Sequence, residues 1–155
     1  MWGFFIMKNT EKIFGFIWVI SLLGHLFALP GSPLLLGVGT SFLASFYFYA
    51  SVPLFLNLSV KNALQFSIYS RVGGKDLVRI IFSGLSLSSL IIGIGIIQLG
   101  LDDSGIVFGL CLGEATIVFV LLSLPKAYRD ALYYKPAIYR IAILALILTL
   151  MNSTG

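Results

Sequence analysis

The sequence predicts an all-α integral membrane protein with about five transmembrane helices, arranged as two parallel helical hairpins plus a terminal helix. Three observations carry this reading. Mean hydropathy is +1.03, with 59% of the 155 residues apolar and only 10% charged, where a soluble domain has about 25% charged. Uncharged apolar runs recur at lengths near the roughly 20 residues an α-helix needs to cross a bilayer. The ten basic residues all fall on one side of the topology those runs define. A water-soluble globule is excluded.

The first span is expected over residues 13–29, closed by Pro30-Gly31-Ser32-Pro33, and the second over 34–58, long enough to require tilt. Together, 13–58 form the first hairpin. The chain start also has the outline of a secretory signal, but the run is long for one, no small-x-small site precedes Pro30, and residues 1–7 add a hydrophobic head. A retained span is therefore expected. The connection 59–79 follows. Around it, the stretch 57–70 mixes Leu58, Leu64, Phe66 and Ile68 with Lys61, Asn62, Gln65 and neighbouring Arg71, which suits an interfacial helix broken at Gly73-Gly74. The second hairpin is expected over 80–124, with spans 80–101 and 106–124 joined by Asp102-Asp103-Ser104-Gly105. So short a polar turn leaves its two helices antiparallel. A basic connection, 125–136, leads to a terminal helix over 137–151. At about 1.5 Å per residue that run is short for a span. It must borrow residues 133–136 with Arg140 snorkelling, thin the bilayer, or lie on its surface.

Charge sets the orientation, because Lys and Arg concentrate in short cytoplasmic loops. Lys8 and Lys12 precede the first span; Lys61, Arg71, Lys75 and Arg79 lie in the second connection; Lys126, Arg129, Lys135 and Arg140 lie in the fourth. The opposite side holds Asp102 and Asp103 and no cation. This places the N-terminus in the cytoplasm of a bacterial inner membrane, with both hairpin turns and the uncharged tail 152–155 outside. Tyr128, Tyr133, Tyr134 and Tyr139 beside Lys135 and Arg140 read as an interfacial belt. The net charge of +4 is then topogenic charge that meets anionic membrane lipid, and nucleic acid is not an expected partner.

A shift of 72 residues lays one hairpin over the other. Ser32, Gly37, Ser51 and Pro53 meet Ser104, Gly109, Ser123 and Pro125, and each hairpin is followed by a basic stretch, Lys61-Asn62-Ala63-Leu64 and Lys126-Ala127-Tyr128-Arg129. A duplicated hairpin with one extra helix is the expectation. Both copies would share one orientation, unlike the inverted repeats of many transporters.

An ionisable side chain at membrane depth is costly and is a functional candidate by default. Glu114 is the residue singled out on this ground, near the middle of the fourth span. Beside it Gly105, Gly109 and Gly113 recur every fourth position, a ridge that lets another helix approach closely. Glu114 reads either as a proton- or ion-responsive carboxyl or as a neutral acid that joins two helices. His25 has no second His or Cys at ligand spacing, so no metal or haem site is expected. Ser83, Ser86, Ser89 and Gly93 descend the third span with Gln98 beyond them, which reads as a packing seam or a hydrated path. Lone Cys111 has no intramolecular disulfide partner. No nucleophile with a base, no paired carboxylates and no phosphate loop are found, so neither an enzyme nor a cofactor is expected.

The stretch Gly24-His25-Leu26-Phe27-Ala28-Leu29-Pro30-Gly31-Ser32-Pro33-Leu34-Leu35-Leu36-Gly37 resembles the N-terminal membrane hairpin of the L subunit of the gliding-motility and type IX secretion motor. That family joins two spans through a His and Pro-Gly turn. Gly109-Leu110-Cys111-Leu112-Gly113-Glu114-Ala115-Thr116-Ile117-Val118-Phe119 is similar to its second span. The resemblance implies that Glu114 corresponds to the glutamate implicated in proton-driven rotation. The chain departs from the pattern in carrying the turn in one hairpin and the glutamate in the other, where Phe42 holds the first hairpin's glutamate position. Tyr69-Ser70-Arg71-Val72-Gly73-Gly74-Lys75 resembles, more distantly, five-span proteins of the Yip family. The expected function is a non-enzymatic membrane subunit or scaffold that contacts other integral subunits or itself. The alternative is a small transporter or proton-conducting subunit that uses Glu114, Gln98 and the serine seam.

Overall fold

The computed structural model describes residues 2–56, 58, 73–100, 104–123 and 134–154. Five helices contain nearly all of them: α1 Trp2–Leu26, α2 Ser32–Phe55, α3 Gly74–Gln98, α4 Ser104–Ser123 and α5 Tyr134–Thr154. There is no strand among the described residues. Helices α2 to α5 are each long and apolar enough to cross a membrane, and the chain is an all-α, multi-pass membrane protein. The expected interfacial helix over 57–70 apart from Leu58, the acidic turn at Asp102-Asp103 and the basic residues Lys61, Arg71, Lys126 and Arg129 lie outside the described residues.

Helix α1 differs from the span expected over 13–29. It begins at Trp2, runs through Lys8, Glu11 and Lys12, and stops at Leu26. Its uncharged part is about 21 Å long at 1.5 Å per residue, less than the roughly 30 Å of a hydrocarbon core. The stop is built locally. Ala28 takes a left-handed backbone, φ +52°, its N–H donates to the His25 carbonyl at 2.9 Å, and the Leu29 N–H donates to the Gly24 carbonyl at 3.0 Å. This pair of bonds closes the helix end in a Schellman motif. Pro30 blocks further helix, Gly31 supplies a second left-handed step at φ +78°, and Pro33 sits in the first turn of α2, where a missing N–H costs nothing.

The terminal helix is longer than the run 137–151. It takes in Tyr134, Lys135 and Pro136, extends to Thr154, and reaches span length without thinning the bilayer. Pro136 is tolerated because it falls in the first turn.

Helix α3 is the centre of the bundle, packed on α2, α4 and α5, while α1 packs on α2. Leu87, Leu90, Ile91 and Ile94 of α3 are fully buried together with Leu36 and Leu148. Phe16, Leu34, Leu110, Ile117 and Leu146 are more than half exposed, as suits side chains that face lipid. Helices α1, α3 and α5 run in one direction: His25 meets Gln98 where α1 and α3 end, and Tyr134 meets Asp76 where α5 and α3 begin. Lys8, Lys12, Lys75, Arg79, Lys135 and Arg140 therefore share one end of the bundle, termed the basic end.

The 72-residue displacement also relates the helices. It carries both ends of α1 onto those of α3 and the start of α2 onto the start of α4. It relates their crossings as well. In the first hairpin a Cβ placed on Gly39 would lie 3.8 Å from the Ser21 Cβ; in the second, a Cβ on Gly93 would lie 3.4 Å from the Cys111 Cβ. Residues 21 and 39 become 93 and 111 under the same shift. The two hairpins thus cross at equivalent points, with glycine on α2 in one and on α3 in the other.

Candidate functional site

Two polar centres lie within the helical bundle. The first joins α1, α2 and α5. The Arg140 guanidinium donates twice to Glu11, Nε to Oε1 at 2.6 Å and Nη2 to Oε2 at 2.8 Å, and the Tyr47 hydroxyl donates to the same Oε1 at 2.7 Å. The remaining Nη1 donates to the Pro136 carbonyl at 3.1 Å, and the guanidinium carbon lies 5.8 Å from the Phe55 ring centroid. The Glu11 side chain is 12% exposed and that of Arg140 30%. A carboxylate held by both prongs of an arginine and by a phenol is a satisfied group, and this centre locks helices together.

Arg140 snorkelling was one of the ways by which the short run 137–151 was expected to reach span length; its guanidinium reaches back one turn to the Pro136 carbonyl, toward the basic end, where Glu11 offers a bidentate partner. Glu11 itself escapes sequence reading, since it stands between Lys8 and Lys12 and looks like the solvated flank of a span. The signal that could have found it is pairwise: an acid ahead of one apolar run and an arginine inside another. Of the expected tyrosine belt, Tyr128 and Tyr133 lie outside the described residues. Tyr139 is exposed, but Tyr134 is buried, its hydroxyl donating to Asp76 at 3.0 Å and accepting from Arg79 Nη1 at 3.4 Å.

The second centre is Glu114, midway along α4. Cys111, Ala115, Val118 and Leu122 form the buried face of that helix, and Glu114 stands at its edge, half-buried. Among the described residues nothing donates a hydrogen bond to its carboxyl. Gly105, Gly109 and Gly113 lie on the opposite, open side, and a Cβ on any of them would meet no atom within 4 Å. The ridge therefore packs on no other helix of the described chain. The glycines that do mediate crossings are Gly39 against Ser21 and the Trp18 backbone, Gly84, whose Cβ would collide with Ser51, Gly93 against Cys111, and Gly95, whose Cβ would lie 2.8 Å from Thr40 Cγ2.

The serine seam faces inward. Ser83 donates to the Arg79 carbonyl at 2.8 Å, and Cys111 Sγ donates to the Ser89 carbonyl at 3.3 Å. Ser86 is fully buried, and its hydroxyl has no hydrogen-bond partner among the described residues. His25 and Gln98 are brought together at the other end of the bundle, His25 Nε2 lying 2.7 Å from the Gln98 backbone carbonyl. A carbonyl only accepts, so Nε2 carries the proton. No group of three or more His, Cys, Asp or Glu side chains able to hold a metal occurs among the described residues. Compared with known proteins, the chain matches no family model, no curated protein and no solved structure.

Proposed function

We propose that the chain is a non-enzymatic integral subunit of a larger assembly in the bacterial inner membrane, and that α4 is the helix that meets the neighbouring subunit. The observation that carries this is an open glycine ridge on the same helix that carries the mid-span carboxyl of Glu114. A carboxyl at mid-helix is costly against lipid, and Gly105, Gly109 and Gly113 leave room for a second backbone to approach. Among the described residues, the crossings of α1 with α2, α2 with α3 and α3 with α4 each use a glycine, and a ridge turned outward suits a crossing with a helix from another chain. The cations gathered at the basic end support a cytoplasmic N-terminus. On this reading α1 crosses as a fifth span, because Arg140 takes up the Glu11 charge. The resemblance of residues 109–119 to the motor L subunit makes a proton-driven motor or secretion assembly the first class of complex to test.

The test is co-purification in mild detergent of the wild-type chain and of Gly109→Leu. A side chain at position 109 has open space in the monomer, so the variant is expected to fold and melt as wild type yet lose its partners. Wild-type protein that elutes as a lone monomer, or a Gly109→Leu complex that stays intact, overturns the reading.

One observation favours a second reading, a small transporter or proton-conducting subunit: Ser86, on the helix that packs against α4, is a buried hydroxyl with no hydrogen-bond partner among the described residues. pH-dependent flux in reconstituted vesicles that Glu114→Gln abolishes supports it. Vesicles of wild-type protein that conduct nothing dismiss it.

A further inference from the structure

A groove of about 390 Å³ opens between the first turns of α3 and the last turns of α4, at the basic end. Its α3 wall is one helix face: Gly74, Lys75, Val78, Arg79 and Phe82. Its α4 wall is Val118, Leu121 and Leu122. Val78, Phe82 and Leu121 are each nearly half exposed into it, while Val118 and Leu122 form a buried floor.

Charge and apolar surface are ordered along this groove. Lys75 and Arg79 lie at its mouth, and the walls beyond them are hydrocarbon. From Lys75 to Phe82 the helix rises about 10 Å, and one leaflet of hydrocarbon is about 15 Å deep. The order from cation to apolar wall is that of a phospholipid read from phosphate to acyl chain. Arg79 is held in place, Nη1 lying 3.5 Å from Asp76 Oδ1 and donating to the Tyr134 hydroxyl at 3.4 Å. Asp76 does not line the groove: Tyr134 donates to it from the α5 side. Lys75 is exposed at the start of α3, where the helix dipole adds positive potential.

We propose that this groove binds one acidic phospholipid, its phosphate on Lys75 and Arg79 and an acyl chain along Val78, Phe82, Val118 and Leu121. Basic pockets between transmembrane helices take anionic head groups by this combination of cation and apolar cleft. A free phosphate ion would use the cations and leave the walls empty. A zwitterionic lipid would use the walls, and its own ammonium would oppose the cations.

The experiment is native mass spectrometry of the full chain in neutral detergent, titrated separately with phosphatidylglycerol, phosphatidylcholine and glycerol phosphate. One tightly retained phosphatidylglycerol is expected, with phosphatidylcholine and glycerol phosphate each much weaker. Lys75→Gln is expected to weaken phosphatidylglycerol roughly fivefold, as one cation near an anionic surface is worth. Leu121→Trp fills the groove, leaves both cations in place, and is expected to weaken it as well. Its side chain is already open to the exterior, so both variants are checked for an unchanged melting temperature. Equal retention of the two lipids, glycerol phosphate binding as tightly as phosphatidylglycerol, or full retention by both folded variants overturns the proposal.

Discussion

Glu11 and Arg140, 129 residues apart, meet as a two-pronged ion pair that ties the first helix of the bundle to the last. Removing one partner strands the other charge in a site largely closed to water, at a cost of about 3 to 5 kcal/mol. Arg140→Met and Glu11→Leu are each expected to lower the melting temperature in detergent sharply. The double variant should recover most of that loss, because a buried pair replaced by packed apolar groups is often neutral. Losses that simply add in the double variant would show that the two residues do not act as a pair.

The hairpin layout is legible in the sequence because turn chemistry and span length are local. Pro30-Gly31-Ser32-Pro33 can only break a helix, and the stop at Leu26 follows from it within three residues. The end of α5 nearer Tyr134 is less legible, since Tyr134, Lys135 and Pro136 read equally as interface or as borrowed helix by composition, and the contacts of Tyr134 with Asp76 and Arg79 are with residues more than 50 positions away. Glycine spacing identifies ridges without saying which way they face. Gly105, Gly109 and Gly113 have the regular stripe and face outward, whereas Gly84, Gly93 and Gly95 carry the contacts. Glu11 was hidden for the same reason: its partner is distant in sequence, and no local pattern points to it.

The two kinds of glycine give a paired prediction. A Cβ on Gly84 would meet Ser51 and the Tyr47 carbonyl oxygen, the latter at 2.8 Å, and backbone cannot give way as a flexible side chain does. Gly84→Ala is expected to destabilise the monomer by about 1 to 3 kcal/mol through overpacking. Gly113→Ala meets nothing within 4 Å and should be neutral or slightly stabilising, by up to about 1 kcal/mol, from helix propensity. Thermal melts of the two variants in one detergent check the contrast, and equal destabilisation would contradict the assigned faces.

Ser86 gives a prediction of opposite sign to most core truncations. Its hydroxyl is fully buried without a partner among the described residues, and an unsatisfied buried polar group costs about 1 to 3 kcal/mol. Ser86→Ala removes that group and little volume. The variant is therefore expected to melt at or above the wild-type temperature. A clear drop would mean that the hydroxyl has a partner in solution, such as a buried water.

The equivalent crossings of the two hairpins can be read out by cross-linking. Disulfides form readily where Cβ atoms lie about 3.5 to 4.5 Å apart, and the crossing points give 3.8 Å for residues 21 and 39 and 3.4 Å for 93 and 111. Ser21→Cys with Gly39→Cys, in a Cys111→Ser background, is expected to form an intramolecular disulfide on mild oxidation. Gly93→Cys alone should couple to the native Cys111, with some strain because the added atoms crowd the Cys111 sulfur at 2.8 Å. Gly109→Cys in the Cys111→Ser background serves as the outward control: within one chain it has no partner, so any cross-link it makes joins two molecules. Mass mapping of the oxidised peptides distinguishes these outcomes. Failure of both crossing pairs to oxidise, in variants that still fold, would refute a shared crossing point 72 residues apart.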